Sequence, residues 1–128
     1  MRLTKRRDGL YVFPFEVRFR STIRKLNGLV DTGSNVCAGT YTVFTALRAR
    51  PTSFDKIGSP FVAPSRYLGY SLKLRIDDHS VMTTVYRLPL KMPGIDLILG
   101  NSILRLCQMT TDSTGMSLTW FPPANPKS

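Results

Sequence analysis

The chain has 128 residues, of which 42% are apolar and 20% are charged. That length suits one domain with a modest hydrophobic core, and it excludes a second domain of ordinary size. The formal net charge of +10 at pH 7 favours phosphates or acidic partners. The apolar runs are short and the basic N-terminal residues lack a hydrophobic signal core, so we expect neither membrane association nor secretion.

The cysteine content gives no sign of a disulfide framework or a metal site. Cys37 and Cys107 are too few and too far apart for either, so we expect both thiols to be reduced. No motif for a metal or another cofactor is evident, and we expect none.

The expected location is the cytoplasm, or a virion-like particle if the chain is excised from a polyprotein.

The first third of the chain predicts two β-strands. In Tyr11–Phe19 the odd positions are aromatic or aliphatic, and this period of two is typical of a half-buried strand. Pro14 indicates that the strand lies at an edge or contains a bulge. The pair Asn27 and Gly28 predicts a tight turn, and the apolar strand that follows ends at Asp31.

The middle of the chain predicts a short helix and then a hairpin. Residues 40–49 form the helix, with Thr40 as the N-cap and Pro51 ending it. Residues 51–65 predict a loop or an extended arm without helical periodicity. Apolar residues alternate over positions 70–76 and return in a β-rich stretch at 81–88, which indicates a hairpin around the sequence DDHS.

The last third predicts a buried strand, a short helix and a final strand. The sequence PGIDLILG ends in a strand that stops at Gly100, and NSILRL indicates one or two helical turns. Alternating apolar residues at 116, 118 and 120 predict the last strand. The chain is therefore all-β with one or two short helices. We expect a basic arm at 1–9, the folded domain at 10–121 and a proline-rich tail at 122–128.

The most informative motif is LVDTGS at residues 29–34. Leu29 and Val30 predict burial, and Gly33 indicates a turn, so the carboxylate of Asp31 lies where the chain leaves the core. A second sequence of aliphatic residues and a glycine, LILG, occurs later and leads into the short helix. Each element alone is weakly specific, but their order and spacing are informative.

These residues resemble the retropepsin-like aspartic proteases, which include retroviral and retrotransposon proteases and their cellular and bacterial relatives. The strand Tyr11–Phe19 is similar to the opening hairpin of that family, LVDTGS to its active-site loop, and IDLILGNSIL to its glycine loop and C-terminal helix. The resemblance implies a single-domain acid-protease closed barrel that forms a two-fold symmetric homodimer. Residues 116–121 and those before Leu10 are the interface candidates.

The resemblance also implies the chemistry of an aspartic endopeptidase. Two carboxylates that share one proton activate water for attack on a peptide bond, and they titrate as a coupled pair. The chain has one such loop, so two copies of Asp31, one from each subunit, would form the site. The substrate would be a peptide or a polyprotein.

The residues that follow Asp31 take their expected roles from the same resemblance. Thr32 would extend its hydroxyl across the two-fold axis to the partner loop. Gly33 would allow close approach of the backbone, because it has no side chain. Ser34 would donate to the outer oxygen of Asp31, and Asn35 would bind the substrate backbone.

Further substrate contacts are expected from a flap, the hairpin that closes over a bound peptide. Pro64, Ser65 and Arg66 are the expected flap tip, and DDHS at residues 77–80 is the alternative. Ile98 is a further candidate substrate-binding residue.

Two other functions remain open at this point. The chain would be a catalytically inactive, protease-like dimerisation or peptide-binding module if Asp31 served only its own turn. The basic charge also allows a nucleic-acid-binding β-domain, which we rank last because alternation with a core explains the aromatic residues of Tyr11–Phe19 more simply. The single histidine, His79, lies in a polar turn, which argues against a site of the Ser-His-Asp type.

Overall fold

A computed structural model gives the architecture and describes residues 1–59 and 62–120. Within those residues the strands and helices are, in order, β1 (Thr4–Lys5), β2 (Tyr11–Phe19), β3 (Thr22–Val30), β4 (Cys37–Gly39), α1 (Tyr41–Ala46), β5 (Ser53–Ser59), β6 (Val62–Ile76), β7 (His79–Arg87), β8 (Leu97–Leu99), α2 (Asn101–Leu104), β9 (Cys107–Asp112) and β10 (Gly115–Trp120). Most of the described elements are strands, which confirms the predicted all-β class.

Strands β2 and β3 form the first hairpin, but its turn differs from the predicted one. The chain reverses between Phe19 and Thr22, with Arg20 at a φ of 54°. The prediction of a turn at Asn27 and Gly28 is wrong, because both residues lie inside β3. Gly28 is required by packing: a Cβ there would lie 2.5 Å from Cε1 of Phe15.

Pro14 lies where β2 is a local edge, with a partner strand on one side only, as its presence predicted. On one side β2 pairs with β3 along its length. On the other side β1 pairs with Tyr11 and Val12, and β6 pairs with residues 16–18. Pro14 lies between these two partners, where its missing N–H leaves no hydrogen bond of the sheet unmade.

The longest hairpin joins β6 to β7 in the predicted place. Its alternating residues Tyr70, Leu72, Leu74 and Ile76 are all buried. Residues 51–65 were predicted to form a loop or an extended arm; the loop alternative is wrong over most of the described residues, because β5 is extended there and pairs with β6. Side chains of β5 alternate poorly between core and water, so the strand has no clear sequence pattern.

A six-stranded barrel forms the centre of the fold. The strand order is β1-β2-β3-β8-β4-β7-β6-β5, and a further pairing of β2 with β6 closes the barrel. Strand β8 lies between β3 and β4, parallel to the former and antiparallel to the latter. This insertion places the chain just before Gly100 beside the chain just before Asp31.

The core consists of two clusters of buried side chains. The larger fills the barrel and includes Phe13, Val17 and Leu72 together with Val43 and Phe44 of α1. The smaller comprises Leu29, Ala38, Leu88, Ile95 and Ile98.

Helix α1 begins after Thr40, as predicted, but ends earlier, at Ala46. It has six residues, and within residues 1–59 and 62–120 no helix has the length and hydrophobicity needed to cross a membrane.

A separate two-stranded sheet is formed by β9 and β10. The first residues of the chain add to its β10 side: the N–H of Leu3 donates to the carbonyl of Met116, and the N–H of Leu118 donates to that of Met1. Both edges of β10 are therefore paired within the chain. The outer edge of β9 has no partner in the described part of the chain.

Candidate active site

Asp31 is the first residue after β3, and β8 holds its backbone in place. The parallel pairing of Val30 with Leu99 continues for one more residue, because the N–H of Asp31 donates to the carbonyl of Leu99 at 3.0 Å. The side chain of Asp31 is half-buried. It therefore sits at the edge of the core, as the motif predicted.

The loop after Asp31 orients the carboxylate through its own backbone. The N–H of Gly33 donates to Oδ1 of Asp31 at 3.0 Å, and the N–H of Ser34 donates to the carbonyl of Asp31 at 3.2 Å. This is a local turn of the type that aspartate favours. One carboxylate oxygen is thus fixed by the turn.

Ser34 does not act as the sequence suggested. Its Oγ donates to the carbonyl of Val36 at 2.8 Å, so the expected hydrogen bond from Oγ to Asp31 is wrong. The side chain is 5% exposed and points beneath the loop, where a buried carbonyl needs a donor. Ser34 therefore stabilises the shape of the loop.

The start of α2 donates hydrogen bonds to the same loop. The N–H of Asn101 donates to the carbonyl of Ser34 at 2.7 Å, and the N–H of Ser102 donates to that of Asn35 at 3.1 Å. The side-chain amide of Asn101 adds a bond of 3.0 Å to the carbonyl of Thr32. These contacts satisfy N–H groups that the first turn of a helix cannot pair internally.

Gly100 makes this contact possible. A Cβ at this position would lie 2.1 Å from the carbonyl oxygen of Val36 and 2.7 Å from that of Ser34. No side chain fits at such distances, so the two loops can meet only through glycine.

The other loop residues point away from the core. Thr32, Gly33 and Asn35 are exposed. Behind the loop, Sγ of Cys37 lies 3.4 Å from Oγ of Ser102, and burial raises the pKa of this thiol. Cys37 and Cys107 are both free and buried, as expected for reduced cysteines.

The expected flap residues lie on a strand. Pro64, Ser65 and Arg66 are exposed residues of β6, and Ser65 pairs with Ile57 of β5. Their assignment to the tip of the hairpin is therefore wrong, and residues 60–61, between the two strands, lie outside the described residues. The alternative tip, DDHS, forms the turn between β6 and β7.

Ile98 is also placed differently from the expectation. It is 1% exposed and packs in the smaller core cluster with Leu29 and Ala38. Tyr67 and Tyr86 cover this cluster from outside. Ile98 is thus inaccessible to a substrate in this conformation.

A hydrogen bond between Asp55 and Tyr86 links β5 to β7, and no sequence pattern predicted it. The hydroxyl of Tyr86 on β7 donates to Oδ2 of Asp55 on β5 at 2.7 Å. The bond reaches across β6 at Gly69, where a Cβ would lie 3.0 Å from Cε1 of Tyr86. Burial and the Asp55 carboxylate raise the pKa of Tyr86 to about 12, and the Tyr86 hydroxyl lowers the pKa of Asp55.

Comparison with known proteins places this geometry in context. No known family model matches the sequence, and no curated protein matches it. Among solved structures, the EIAV protease in complex with the inhibitor HBY-793 is 17% identical with a TM-score of 0.63, over 80% of this chain and 91% of that one. A retropepsin-like aspartic protease from Rickettsia conorii is also 17% identical with a TM-score of 0.63, over 92% of this chain and 87% of that one.

The retroviral protease-like domain of Ddi1 from Leishmania major is a more distant match. It is 12% identical with a TM-score of 0.50, over 87% of this chain and 94% of that one. The chain therefore has the retropepsin-like fold, as its motifs suggested. At these identities the likeness establishes the fold.

We expect Gly100→Ala to destabilise the chain by about 2 kcal/mol or more, because the added Cβ overlaps backbone oxygens that cannot move independently. Urea unfolding of the parent and the variant measures the difference. Gly33→Ala is the matched control, since its Cβ would meet only Oδ1 of Asp31 at 3.3 Å and should cost clearly less. Equal losses for the two variants would contradict the contact between the loops.

We expect Tyr86→Phe to lower the urea midpoint of unfolding at neutral pH, because the bond to Asp55 is lost. Since the pKa of Tyr86 is raised, the stabilisation is present below the usual tyrosine pKa of 10.0 and disappears as pH rises through about 12. Since the pKa of Asp55 is lowered, the stabilisation is also lost as pH falls below 3.8. Unfolding curves across pH should therefore converge at both extremes, and a constant difference would refute the pairing.

Proposed function

We propose that the chain is an aspartic endopeptidase that acts as a homodimer. The observation that carries the proposal is the half-buried carboxylate of Asp31, held by the N–H of Gly33 on a loop that Gly100 and α2 buttress. This arrangement lies on a retropepsin-like barrel. It orients one carboxylate oxygen through a neutral backbone donor and leaves the side chain partly exposed.

The chemistry requires a second carboxylate. An ionised carboxylate accepts a proton from water as the water attacks the peptide carbonyl, while a protonated one donates a hydrogen bond to the carbonyl oxygen. The chain has one loop of this kind, so the second Asp31 comes from another copy around a two-fold axis. The exposed Thr32 is then positioned to brace the partner loop, and Asn35 to bind substrate backbone.

The β5–β6 hairpin is the proposed flap. Pro64, Ser65 and Arg66 then belong to its returning strand, and Asp55 fixes its base through Tyr86. An extended peptide would bind as an added strand between this hairpin and the loop at Asp31. Ile98 is 1% exposed and would contact the peptide only after the side chains around it have moved.

The geometry of the small sheet favours β9 as the dimer edge. Residues 116–120 were expected at the interface, but both edges of β10 are already paired within the chain. Strand β9 offers a free edge in the described structure, and its residues after Cys107 are exposed. Antiparallel pairing of two β9 strands around a two-fold axis would extend the sheet symmetrically. Phe121, the last interface candidate, lies outside the described residues.

Asp31→Asn tests the catalytic proposal. We expect peptide cleavage between about pH 4 and 7 to fall by at least about 100-fold, because the amide can neither accept the proton of water nor share one. The measurement is hydrolysis of a mixed peptide library, read by mass spectrometry. Asp78→Asn is the matched control, since it removes the same charge from an exposed turn, and it should cleave like the parent.

Two results would reject catalysis at Asp31. Equal cleavage by the parent and Asp31→Asn would show that the activity depends on another residue. A parent that dimerises but cleaves no peptide would favour the inactive peptide-binding module instead.

Cysteine cross-linking tests the dimer. In a symmetric antiparallel pair the middle of β9 faces its own copy, where Cβ atoms approach to about 4.5–5.5 Å. We therefore expect Thr110→Cys to form a disulfide-linked dimer under mild oxidation. Thr119→Cys on the doubly paired β10 is the control and should stay monomeric on a non-reducing gel. Cross-linking through residue 119 alone, or a monomer by sedimentation at every concentration, would contradict the β9 interface.

A further inference from the structure

The outward face of the barrel at β2, β3 and β6 concentrates positive charge. Glu16 pairs with Lys25 on one side and with Arg75 on the other, and Arg18 pairs with Lys73. The four cationic side chains are exposed and surround this single acid. We call this set, Arg18, Lys25, Lys73 and Arg75, the basic face.

The charges of the basic face are not neutralised within the described structure. None of its four members takes part in an ion pair there; the ion pairs that form involve other cations, such as Arg2 with Asp112 and Arg6 with Asp8. Arg18 and Lys73 lie directly opposite each other, an arrangement of like charges that destabilises a sheet. The fold therefore gains nothing from this distribution, whereas a bound anion would relieve it.

The surroundings of the basic face indicate which anion fits. Strand β2 is paired on both sides at residues 16–18, and β6 is paired with both β2 and β7 at residues 73–75, so Arg18, Lys73 and Arg75 lie where no backbone edge is free for an added peptide strand. These three cations line, with Glu16 and Ser80, a depression of about 120 Å³, which is too small to bury an apolar side chain. A second recess of about 290 Å³ lies beside Lys25 and Arg75 and is lined also by Pro14, Phe15 and Ile23. Recognition by Arg18, Lys73 and Arg75 therefore depends on charge.

A repeating phosphate backbone meets these conditions. The backbone positions that carry these cations are about 4.8 Å apart between neighbouring strands and about 6.6 Å apart along β6. Phosphate contacts of lysine and arginine need neither pockets nor backbone partners and do not depend on base sequence. An acidic peptide would normally add backbone contacts as well, and the fully paired segments that carry Arg18, Lys73 and Arg75 offer none.

We infer that the basic face binds the phosphate backbone of nucleic acid, single-stranded or duplex, without sequence preference. Lys25 and Asp31 are six residues apart on and just beyond β3, so the face lies about 20 Å from the carboxylate. Binding of nucleic acid is therefore separate from the proposed peptide cleavage, and Asp31→Asn leaves it unchanged.

The test uses the whole chain and fluorescein-labelled 20-nucleotide DNA, single-stranded and duplex, with fluorescence anisotropy as the readout. Four phosphate contacts predict a loss of affinity of about 100-fold between 50 and 200 mM salt. The charge reversal Arg18→Glu with Lys73→Glu should weaken binding at 50 mM salt by at least about 10-fold. Arg18→Lys with Lys73→Arg keeps both charges and should bind like the parent.

A second double variant controls for net charge. Arg50→Glu with Lys91→Glu makes the same charge change at exposed positions outside β2, β3 and β6, and it should bind within about threefold of the parent. Thermal unfolding verifies that each variant is folded.

Three results would overturn the inference. One is equal weakening by the two charge-reversed variants, which would assign binding to net charge alone. Another is a parent that binds neither DNA at 50 mM salt. The third is polyglutamate that displaces the DNA at an equal concentration of charge, which would assign the face to acidic polypeptides.

Discussion

The candidate site depends on the contact between two loop backbones that only a glycine allows. Gly100 approaches the carbonyl oxygens of Ser34 and Val36 so closely that a single methyl group would separate the loops. That approach brings the first N–H groups of α2 to the carbonyls of the Asp31 loop. The position of the carboxylate is thus set mainly by backbone geometry, and the side chains of Ser34 and Asn101 add one hydrogen bond each to the loop.

Backbone contacts of this kind explain how distant sequences can share a fold. The match to two proteases of the same fold extends over most of the chain at 17% identity. Almost any residue can supply the N–H or carbonyl group of a backbone hydrogen bond. A position where a Cβ would overlap the neighbouring backbone, in contrast, accepts only glycine. In this chain the requirement for glycine is strongest at Gly100, the last residue of LILG.

The features that the sequence predicted combine burial with a regular period, and the features that it missed have no such pattern. Strand β2, the alternating part of β6, and the position of Asp31 were predictable, because each combines burial with a regular period. Strand β5 was missed because it projects from the barrel and its exposed residues show no period. The orientation of the Ser34 hydroxyl and the bond between Asp55 and Tyr86 depend on single rotamers and on strands far apart in the chain, which no local pattern encodes.

The position of β8 between β3 and β4 has a consequence for how the protein is made. Residues 97–99 supply the partner for the N–H of Asp31, and Gly100 and α2 follow directly. A ribosome that has not yet released residues 97–99 has therefore produced β3 without the neighbour that holds its end. Closing such a long loop is slow compared with forming a hairpin. The loop at Asp31 consequently takes its final shape only after residues 97–102 have left the ribosome.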